Sequence, residues 1–441
     1  MALSNIANGS QVNNISNITI ARPRGIQDVT LEEEDIIKDS YLFPSEAVRQ
    51  GEGATSKPLS VQFVNNFESG QVNAYLTGLD SDNAIVFVAA DGTLVYPSSG
   101  GSHVPVSVSE RVAISLPQKE ESIEVKLPRS ITSARIYFCE GKLNFYVVNT
   151  PNGNGLIHPS ATDPNDSSFD LSWGFVELTY TADLTLYANL SFVDFVGMVL
   201  GMQLSVLDGS QTQITCGLRP AAIADICREL AIQTNTDSFP WSNLCVVNQL
   251  GRPIRVLSPS QNSMVNPTDF EHYWSRYIDR VWEYYATAPL TINTQTEAGN
   301  ITCRVTGTLL TCDGDNRDYE TPTALDIWGC DSGPFGKMDG DNIIHTAVIP
   351  RLCSAFVRST LLLEYGNIQP SVDSSQYYRA NPTNHYSRLV HKYEIDGKGY
   401  TYAYDDVNPD HEDASGTLSS GAADTLTIFV GAPASECTFL D

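Results

Sequence analysis

The sequence predicts a mainly β protein with an α/β part inserted into it. From residue 59 the chain shows short alternating strands separated by turn residues, as in antiparallel sandwiches and barrels. Between about 205 and 290 the apolar period becomes helical, and after 290 short strands return. We therefore predict a leader or linker (1–58), the first part of a β-barrel or sandwich domain (59–204), a mixed α/β domain (205–290) and the returning part of the β domain (291–441).

Period-2 alternation of apolar residues predicts the individual strands. The α/β part adds a strand pair around the turn residues 249–252. After residue 290 the strands are short and widely spaced. The predicted strands are 61–64, 73–76, 84–88, 93–96, 122–127, 134–138, 143–148, 244–248, 254–257, 290–293, 301–305 and 426–430.

Two helices are predicted in the α/β part. The first covers 219–230, where Pro220 stands early and good helix formers follow. The second covers 269–286, and Thr268 with Glu271 would form its capping box. This second segment carries aromatic residues at helical spacing. Such a stripe could stack on sugars, but we interpret it as core packing.

Charge narrows the range of partners. The chain has 52 acidic and 26 basic residues, a formal charge of -26. This field repels nucleic-acid phosphates and anionic membranes but tolerates a neutral polymer, although acidity also serves solubility alone. The longest apolar stretch, 190–200, is interrupted by Ser191, Asp194 and Gly197 and is too short to span a membrane. We expect neither a nucleic-acid nor a membrane partner.

The cysteines favour an oxidising compartment. Cys303 and Cys312 flank a hairpin pattern that a disulfide could join, and the odd total of nine leaves at least one thiol over. No paired Cys-x-x-Cys motif indicates zinc, and no phosphate loop or nucleophile motif appears, so no cofactor is predicted. No basic and apolar leader follows Met1. We expect an extracellular protein whose signal peptide is not part of this sequence.

Two acidic residues stand where strand alternation calls for apolar ones. In the strand around 173–180, Glu177 shares a face with Trp173 and Phe175. A tight turn at 182–183 would pair Glu177 with about residue 188 and leave Asp194 roughly 20 Å away. A wide loop over 182–189 would instead bring the two carboxylates within roughly 5–8 Å across neighbouring strands. Joint catalysis requires the wide loop, so we predict that register.

The pair matches the needs of glycoside hydrolysis. One carboxylic acid protonates the leaving oxygen, and one carboxylate activates water or attacks directly. The aromatic face would raise the pKa of Glu177 by desolvation, as a general acid requires. The alternative is that Glu177 and Asp194 are strand-surface carboxylates that face water.

Several motifs resemble the β-1,3-glucanases of glycoside hydrolase family 64, whose fold is related to thaumatin-like proteins. The resemblance spans about 60 to 430. It rests on Phe-Val-Glu-Leu-Thr at 175–179, Leu-Tyr-Ala-Asn at 186–189, Ser-Phe-Val-Asp-Phe at 191–195, Phe-Pro-Trp at 239–241, Arg-Val-Leu-Ser-Pro at 255–259, Asp-Ile-Trp-Gly-Cys-Asp-Ser-Gly-Pro-Phe at 326–335, Asp-Gly-Lys-Gly-Tyr at 396–400 and Tyr-Asp-Asp at 404–406.

The resemblance implies a thaumatin-like β-sandwich or barrel domain and an α/β domain that form a crescent with a wide groove for β-1,3-glucan, such as laminarin, curdlan or cell-wall glucan. It implies inversion at the anomeric carbon and release of laminari-oligosaccharides such as laminaripentaose. By position, Glu177 would be the general acid and Asp194 the general base, about 6.5–9.5 Å apart. We expect a monomer. A non-catalytic thaumatin-like glucan-binding protein is the alternative, and a structural or adhesive surface protein is a third reading.

Four further residues are predicted to bind substrate. Thr179 lies on the face of Glu177, while Tyr187 and Asn189 precede the Asp194 segment. Asp326 belongs to the thaumatin-like signature, in which Cys330 would form a disulfide. Asn189 also begins a glycosylation triplet, but a glycan there would block the groove, so we expect none.

Overall fold

The protein is described by a computed structural model that covers residues 58–439, apart from 69, 110, 152, 208, 210 and 211. The predicted leader, 1–58, lies outside the described residues except for Pro58. The strands are β1 Leu59–Asn65, β2 Val72–Leu79, β3 Ile85–Val88, β4 Leu94–Val95, β5 Val106–Ser107, β6 Ile114–Ser115, β7 Ser122–Leu127, β8 Ile131–Glu140, β9 Tyr146–Thr150, β10 Gly153–Ile157, β11 Trp173–Tyr180, β12 Leu186–Leu190, β13 Phe195–Val196, β14 Leu200–Val206, β15 Gln213–Thr215, β16 Cys245–Val247, β17 Pro253–Leu257, β18 Leu290–Asn293, β19 Asn300–Thr306, β20 Leu309–Cys312, β21 Ile368–Gln369, β22 Leu418–Ser420 and β23 Ala423–Val430. The α-helices are α1 Ala222–Asp237, α2 Pro259–Val265, α3 Ser275–Tyr285, α4 Ala324–Gly329, α5 Ile343–Val357 and α6 His385–Tyr393.

Two large sheets pack face to face as a sandwich. One has the order β15-β14-β23-β1-β7, and the other is eight-stranded, with the order β22-β12-β11-β8-β2-β3-β4 and β6 paired to β2. Their inner faces supply alternate apolar side chains to one core, where the rings of Phe63 and Phe138 meet at 5.2 Å. The predicted mainly β fold is confirmed, and every predicted strand overlaps an observed one.

Helices also occur after residue 290, beyond the predicted α/β part. Helices α4, α5 and α6 all follow residue 290, and they accompany a sheet with the order β20-β19-β18-β21. The predicted boundary at 204/205 falls inside β14, and β15 still pairs within the first large sheet. Helix α5 escaped prediction because it is buried on nearly every side and contains Pro350, so its sequence shows no amphipathic period. Strand β23 returns to pair with β1 and β14.

The predicted start of the second helix is wrong. Helix α3 begins at Ser275, with Trp274 as its N-cap residue, and the segment before it forms turns. The Asp269 carboxylate holds those turns, since it accepts hydrogen bonds from the side chains of Asn243 and Asn262. The interpretation of the aromatic stripe as core is confirmed, and its buried members are Phe270, Tyr273, Trp274, Tyr277 and Tyr285.

Four disulfides cross-link the described residues, at sequence separations that range from 9 to 221. They are Cys216–Cys437, Cys227–Cys245, Cys303–Cys312 and Cys330–Cys353, and Cys139 is a buried free thiol. The predicted hairpin bridge and the predicted disulfide of Cys330 are confirmed. Within the described ranges, no helix is long and apolar enough to cross a membrane.

The outer face of the eight-stranded sheet has two halves. An aromatic layer that includes Tyr137, Trp173 and Phe175 is covered by β9, β10, β13 and β17. The other half of this face carries polar side chains. They come from β8, β11 and β12, and they point to the same face because their positions are directly paired. We call these residues the polar patch: Arg135, Glu177, Thr179, Tyr187 and Asn189.

Candidate active site

Strand alternation places Glu177 as predicted. Trp173 and Phe175 belong to the aromatic layer, whereas Val176 and Leu178 point into the sandwich core. Glu177 follows Phe175 on the outer face and pairs with Arg135 on β8 and Asn189 on β12. The carboxylate therefore stands where the aromatic layer meets the polar patch.

The predicted wide loop between the two strands is wrong. The hairpin turn is tight, with Tyr180 opposite Leu186, so Glu177 faces Asn189. The Thr181 hydroxyl closes the turn, since it donates to the Thr185 carbonyl at 3.0 Å and accepts from the Thr185 amide at 3.1 Å. Leu184 adopts a positive φ of 70° within it. Strand register alone would therefore leave Asp194 far from Glu177.

An excursion of the chain after β12 brings Asp194 back. Leu190 is paired with Val176, and the Met198 amide bonds the Trp173 carbonyl at 3.1 Å. Between these two contacts the chain runs eight residues, from Leu190 to Met198, whereas β11 runs only three, from Val176 back to Trp173. The extra residues form a loop that extends outward from the sheet. We call residues 191–194 the excursion. At its end the Asp194 carbonyl accepts from the Ser258 amide at 2.9 Å.

Arg135 joins the two predicted catalytic residues. Its Nε and Nη2 both lie 2.9 Å from Oε1 of Glu177, and the same Nη2 lies 3.5 Å from Oδ2 of Asp194. Because 2.9 and 3.5 Å are two sides of one triangle, these carboxylate oxygens are at most about 6.4 Å apart. The guanidinium also stacks over Phe175, 4.3 Å from its ring centroid. The structure therefore brings Glu177 and Asp194 together by a different route from the predicted one.

Burial sets the protonation of Glu177. Its side chain is 1% exposed, and desolvation raises its pKa to about 7 although Arg135 opposes the shift. Asp194 adds to the rise, because its charge disfavours a second one nearby. Glu177 is thus largely a neutral acid in mildly acidic solution, which is the state that a proton donor needs.

Asp194 has a wetter environment. Its side chain is 23% exposed, and Oδ1 accepts a hydrogen bond from Nε2 of Gln261 at 3.0 Å. Gln261 lies in the first turn of α2, whose N-cap is Ser258 and whose first residue is Pro259. The start of α2 therefore places the side-chain amide of Gln261 against the Asp194 carboxylate. Both Asp194 oxygens have a partner, yet solvent still reaches the side chain.

Three of the predicted substrate-binding residues lie in the polar patch. Thr179 pairs with Tyr187, and Asn189 stands directly opposite Glu177. Asn189 is 3% exposed inside the sheet, so a glycan cannot be attached there without breaking the fold. Their contact with sugar remains a prediction.

Asp326 has a different setting. It is the third residue of α4 and forms a capping box with Thr323, whose amide and hydroxyl both donate to Oδ2. Ser332 donates to Oδ1 at 2.6 Å. The helix cap and Ser332 together occupy both carboxylate oxygens, and these contacts lend no support to the predicted contact of Asp326 with substrate.

Sequence reasoning missed Arg135 and Gln261. Arg135 carries the same signal as Glu177, a charged residue at an outward position of a strand that is otherwise apolar, here 134–138. Gln261 carries no such signal, because its role depends on where α2 meets the excursion. Among the described residues, no group of three or more His, Cys, Asp or Glu could hold a metal ion.

A buried carboxyl group of raised pKa beside a second carboxylate is the arrangement that glycoside hydrolases use. The family model for glycoside hydrolase family 64, described as β-1,3-glucanase, matches residues 57–430. The chain belongs to this family.

Relatives and solved structures agree with this membership. Glucan endo-1,3-β-glucosidases of Arthrobacter sp. and Cellulosimicrobium cellulans are each 25% identical over 361 residues, which is 80% of this chain. The chain spans 62% of the length of these relatives. A laminaripentaose-producing β-1,3-glucanase in complex with laminaritetraose aligns with a TM-score of 0.73 and 25% identity, over 85% of this chain and 98% of its own.

More distant structures share the fold. A family 64 β-1,3-glucanase domain from Clostridium beijerinckii has a TM-score of 0.65 at 22% identity, over 85% of this chain and 98% of its own. A laminaripentaose-producing enzyme from Paenibacillus barengoltzii has a TM-score of 0.58 at 19% identity, over 88% and 78%.

Proposed function

We propose that this protein is a secreted hydrolase that cleaves β-1,3-glucan with inversion, using Glu177 as general acid and Asp194 as general base. The observation that carries the proposal is the guanidinium of Arg135, which holds a buried and a partly exposed carboxyl group at one point. Membership of family 64 supports the substrate class. The four disulfides support secretion.

The environments of the two carboxyl groups support these roles. Glu177 is buried and has a raised pKa, so it supplies the proton to the glycosidic oxygen. Arg135 donates twice to Oε1, which leaves the buried Oε2 to carry that proton. Asp194 is accessible to solvent and takes a proton from the attacking water. The C1–O bond breaks as the new C1–O bond to water forms on the opposite face.

Inversion rests on the family rather than on the separation. The two oxygens near Arg135 are at most about 6.4 Å apart, which is just below the predicted ~6.5–9.5 Å of inverting pairs and does not exclude the ~5–5.5 Å of retaining pairs. A laminaripentaose-producing relative favours laminari-oligosaccharides, including laminaripentaose, as products. A crescent with a wide groove, as in the resemblance, would lay the glucan across the polar patch, where Thr179, Tyr187 and Asn189 would bind sugar hydroxyls. The formal charge of -26 suits a neutral polymer.

Digestion of laminarin, followed by proton NMR in the first minutes, tests this proposal. We expect new reducing ends to appear first as the α-anomer, because water attacks the face opposite the leaving oxygen. Early β-anomer would contradict inversion. Retention of glucan in a pull-down without any release of reducing sugar would contradict catalysis and favour the thaumatin-like glucan-binding alternative.

The pH dependence should follow Glu177. As pH rises through about 7, Glu177 of the free enzyme loses its proton, so kcat/KM should fall about tenfold per pH unit above that value. The change Arg135→Met should move this alkaline limb upward by roughly 1 pH unit or more, because a cation at 2.9 Å favours the ionised carboxylate. Arg135→Lys keeps the charge and is the control, for which we expect a smaller shift. An alkaline limb that stays in place in Arg135→Met would contradict the assignment of Glu177.

A further inference from the structure

Helix α6 holds the excursion that carries Asp194. The hydroxyl of Tyr386, in the first turn of α6, donates a hydrogen bond to the carbonyl of Phe192. Tyr386 is fully buried and Phe192 is nearly so. Water therefore cannot readily replace this bond, and Phe192 lies only two residues before Asp194.

The chain around Tyr400 holds the excursion at a second point. The Phe192 amide bonds the Tyr400 carbonyl at 2.7 Å, and the Tyr400 amide bonds the Leu190 carbonyl at 3.0 Å. The segment after Tyr400 is anchored by Asp405, which accepts bonds from the Thr401 amide and hydroxyl at 2.7 and 2.6 Å. His391 of α6 contacts Asp405 through Nε2 at 3.2 Å.

These bonds matter because the sheet does not position Asp194. Glu177 is fixed by ladder pairs on both sides, whereas the excursion leaves the ladder after Leu190 and rejoins a strand only at Phe195. The backbone around Asp194 is therefore set by its bonds to α6, to the Tyr400 segment and to Ser258. A small shift of a catalytic group is costly, since a misplacement of about 1 Å can reduce a rate by about 100-fold.

Tyr386 remains a hydrogen-bond donor throughout the working pH range. Burial raises its pKa well above the ordinary value, and the nearby charges of Asp194 and Glu394 act in the same direction. The negative charge of Asp194 thus helps to raise the pKa of Tyr386, although Asp194 lies in the excursion and Tyr386 in α6.

We propose that Tyr386 is a positioning residue for the general base, which it orients through the Phe192 carbonyl. This inference rests on the proposed function of Asp194. Tyr386 contacts neither reacting carboxyl group, so its effect should appear in kcat rather than in substrate binding.

The variant Tyr386→Phe tests the inference, because it removes only the hydroxyl. We expect kcat on laminarin to fall roughly 10- to 100-fold with KM changed less than about twofold. The matched control is Tyr285→Phe. Its buried hydroxyl also bonds backbone carbonyls, those of Leu361 and Gly366 at 2.7 and 3.1 Å, but it has no link to the excursion. An equal loss of kcat in both variants would overturn the inference.

A double-mutant cycle separates positioning from general loss of structure. If Tyr386 acts through Asp194, Tyr386→Phe should cause no further loss in an Asp194→Asn background. The same fold loss in both backgrounds, or wild-type kcat in Tyr386→Phe alone, would overturn the inference and leave the proposed function intact. Wild-type kcat in Asp194→Asn alone would instead overturn the proposed function.

Discussion

Replacement of Glu177 by glutamine should reduce laminarin hydrolysis by roughly 100- to 10,000-fold, the range typical for loss of a general acid. An amide of the same shape cannot protonate the glycosidic oxygen. Its carbonyl oxygen can still accept the bonds from Arg135 that Oε1 accepts now, so the fold should persist. The measurement is initial release of reducing sugar at pH 5 to 6, together with a thermal melt of each protein.

The matched control for this variant is Glu229→Gln. Glu229 also contacts a cation, Lys392 at 2.6 Å, and accepts a bond from Tyr393, but it lies on α1, away from the polar patch. We expect nearly wild-type hydrolysis from this control. A Glu177→Gln protein that retains more than about a tenth of the rate would exclude Glu177 as the general acid.

Replacement of Asp194 by alanine should cause a loss of similar size, roughly 100- to 10,000-fold, because no group then takes the proton from the attacking water. Azide should restore part of the rate, since it needs no deprotonation. It would attack C1 from the side that water uses, while Glu177 gives its proton to the leaving oxygen. The new C1–N bond replaces the broken C1–O bond, and the product is an α-glycosyl azide.

Analysis of that product shows from which face azide attacks C1 once the Asp194 carboxylate is removed. Formation of the β-azide would show attack from the other face and contradict the role of Asp194 as the base of an inverting pair. Asp183→Asn is the control, because Asp183 lies in the tight turn of the same hairpin, where its carboxylate contacts the Thr181 side chain. It should hydrolyse laminarin at the wild-type rate and show no response to azide.

Local pattern was enough to predict most of the β-structure and one half of the site. The strand at 173–180 alternates so regularly that the outward direction of Glu177, and the rise of its pKa beside aromatic residues, could be read from the residues alone. The bridge of Cys303 and Cys312 followed from their hairpin spacing. Helix α5, by contrast, has no polar face, so its sequence shows no amphipathic period from which a helix could be predicted.

The sequence by itself identified Glu177 and Asp194 as the candidate pair. The strand alternation and the motifs that mark these two residues are local patterns, which extend only a few residues to either side of each carboxylate. How the two meet was decided only by tertiary structure. The tight turn at Thr181 fixes a register that separates them, and the excursion then returns Asp194 to Arg135. That return depends on bonds from Tyr386, Tyr400 and Ser258, which lie 64 to 206 residues further along the chain. A local pattern cannot contain such contacts, because their energy arises only when remote segments pack together.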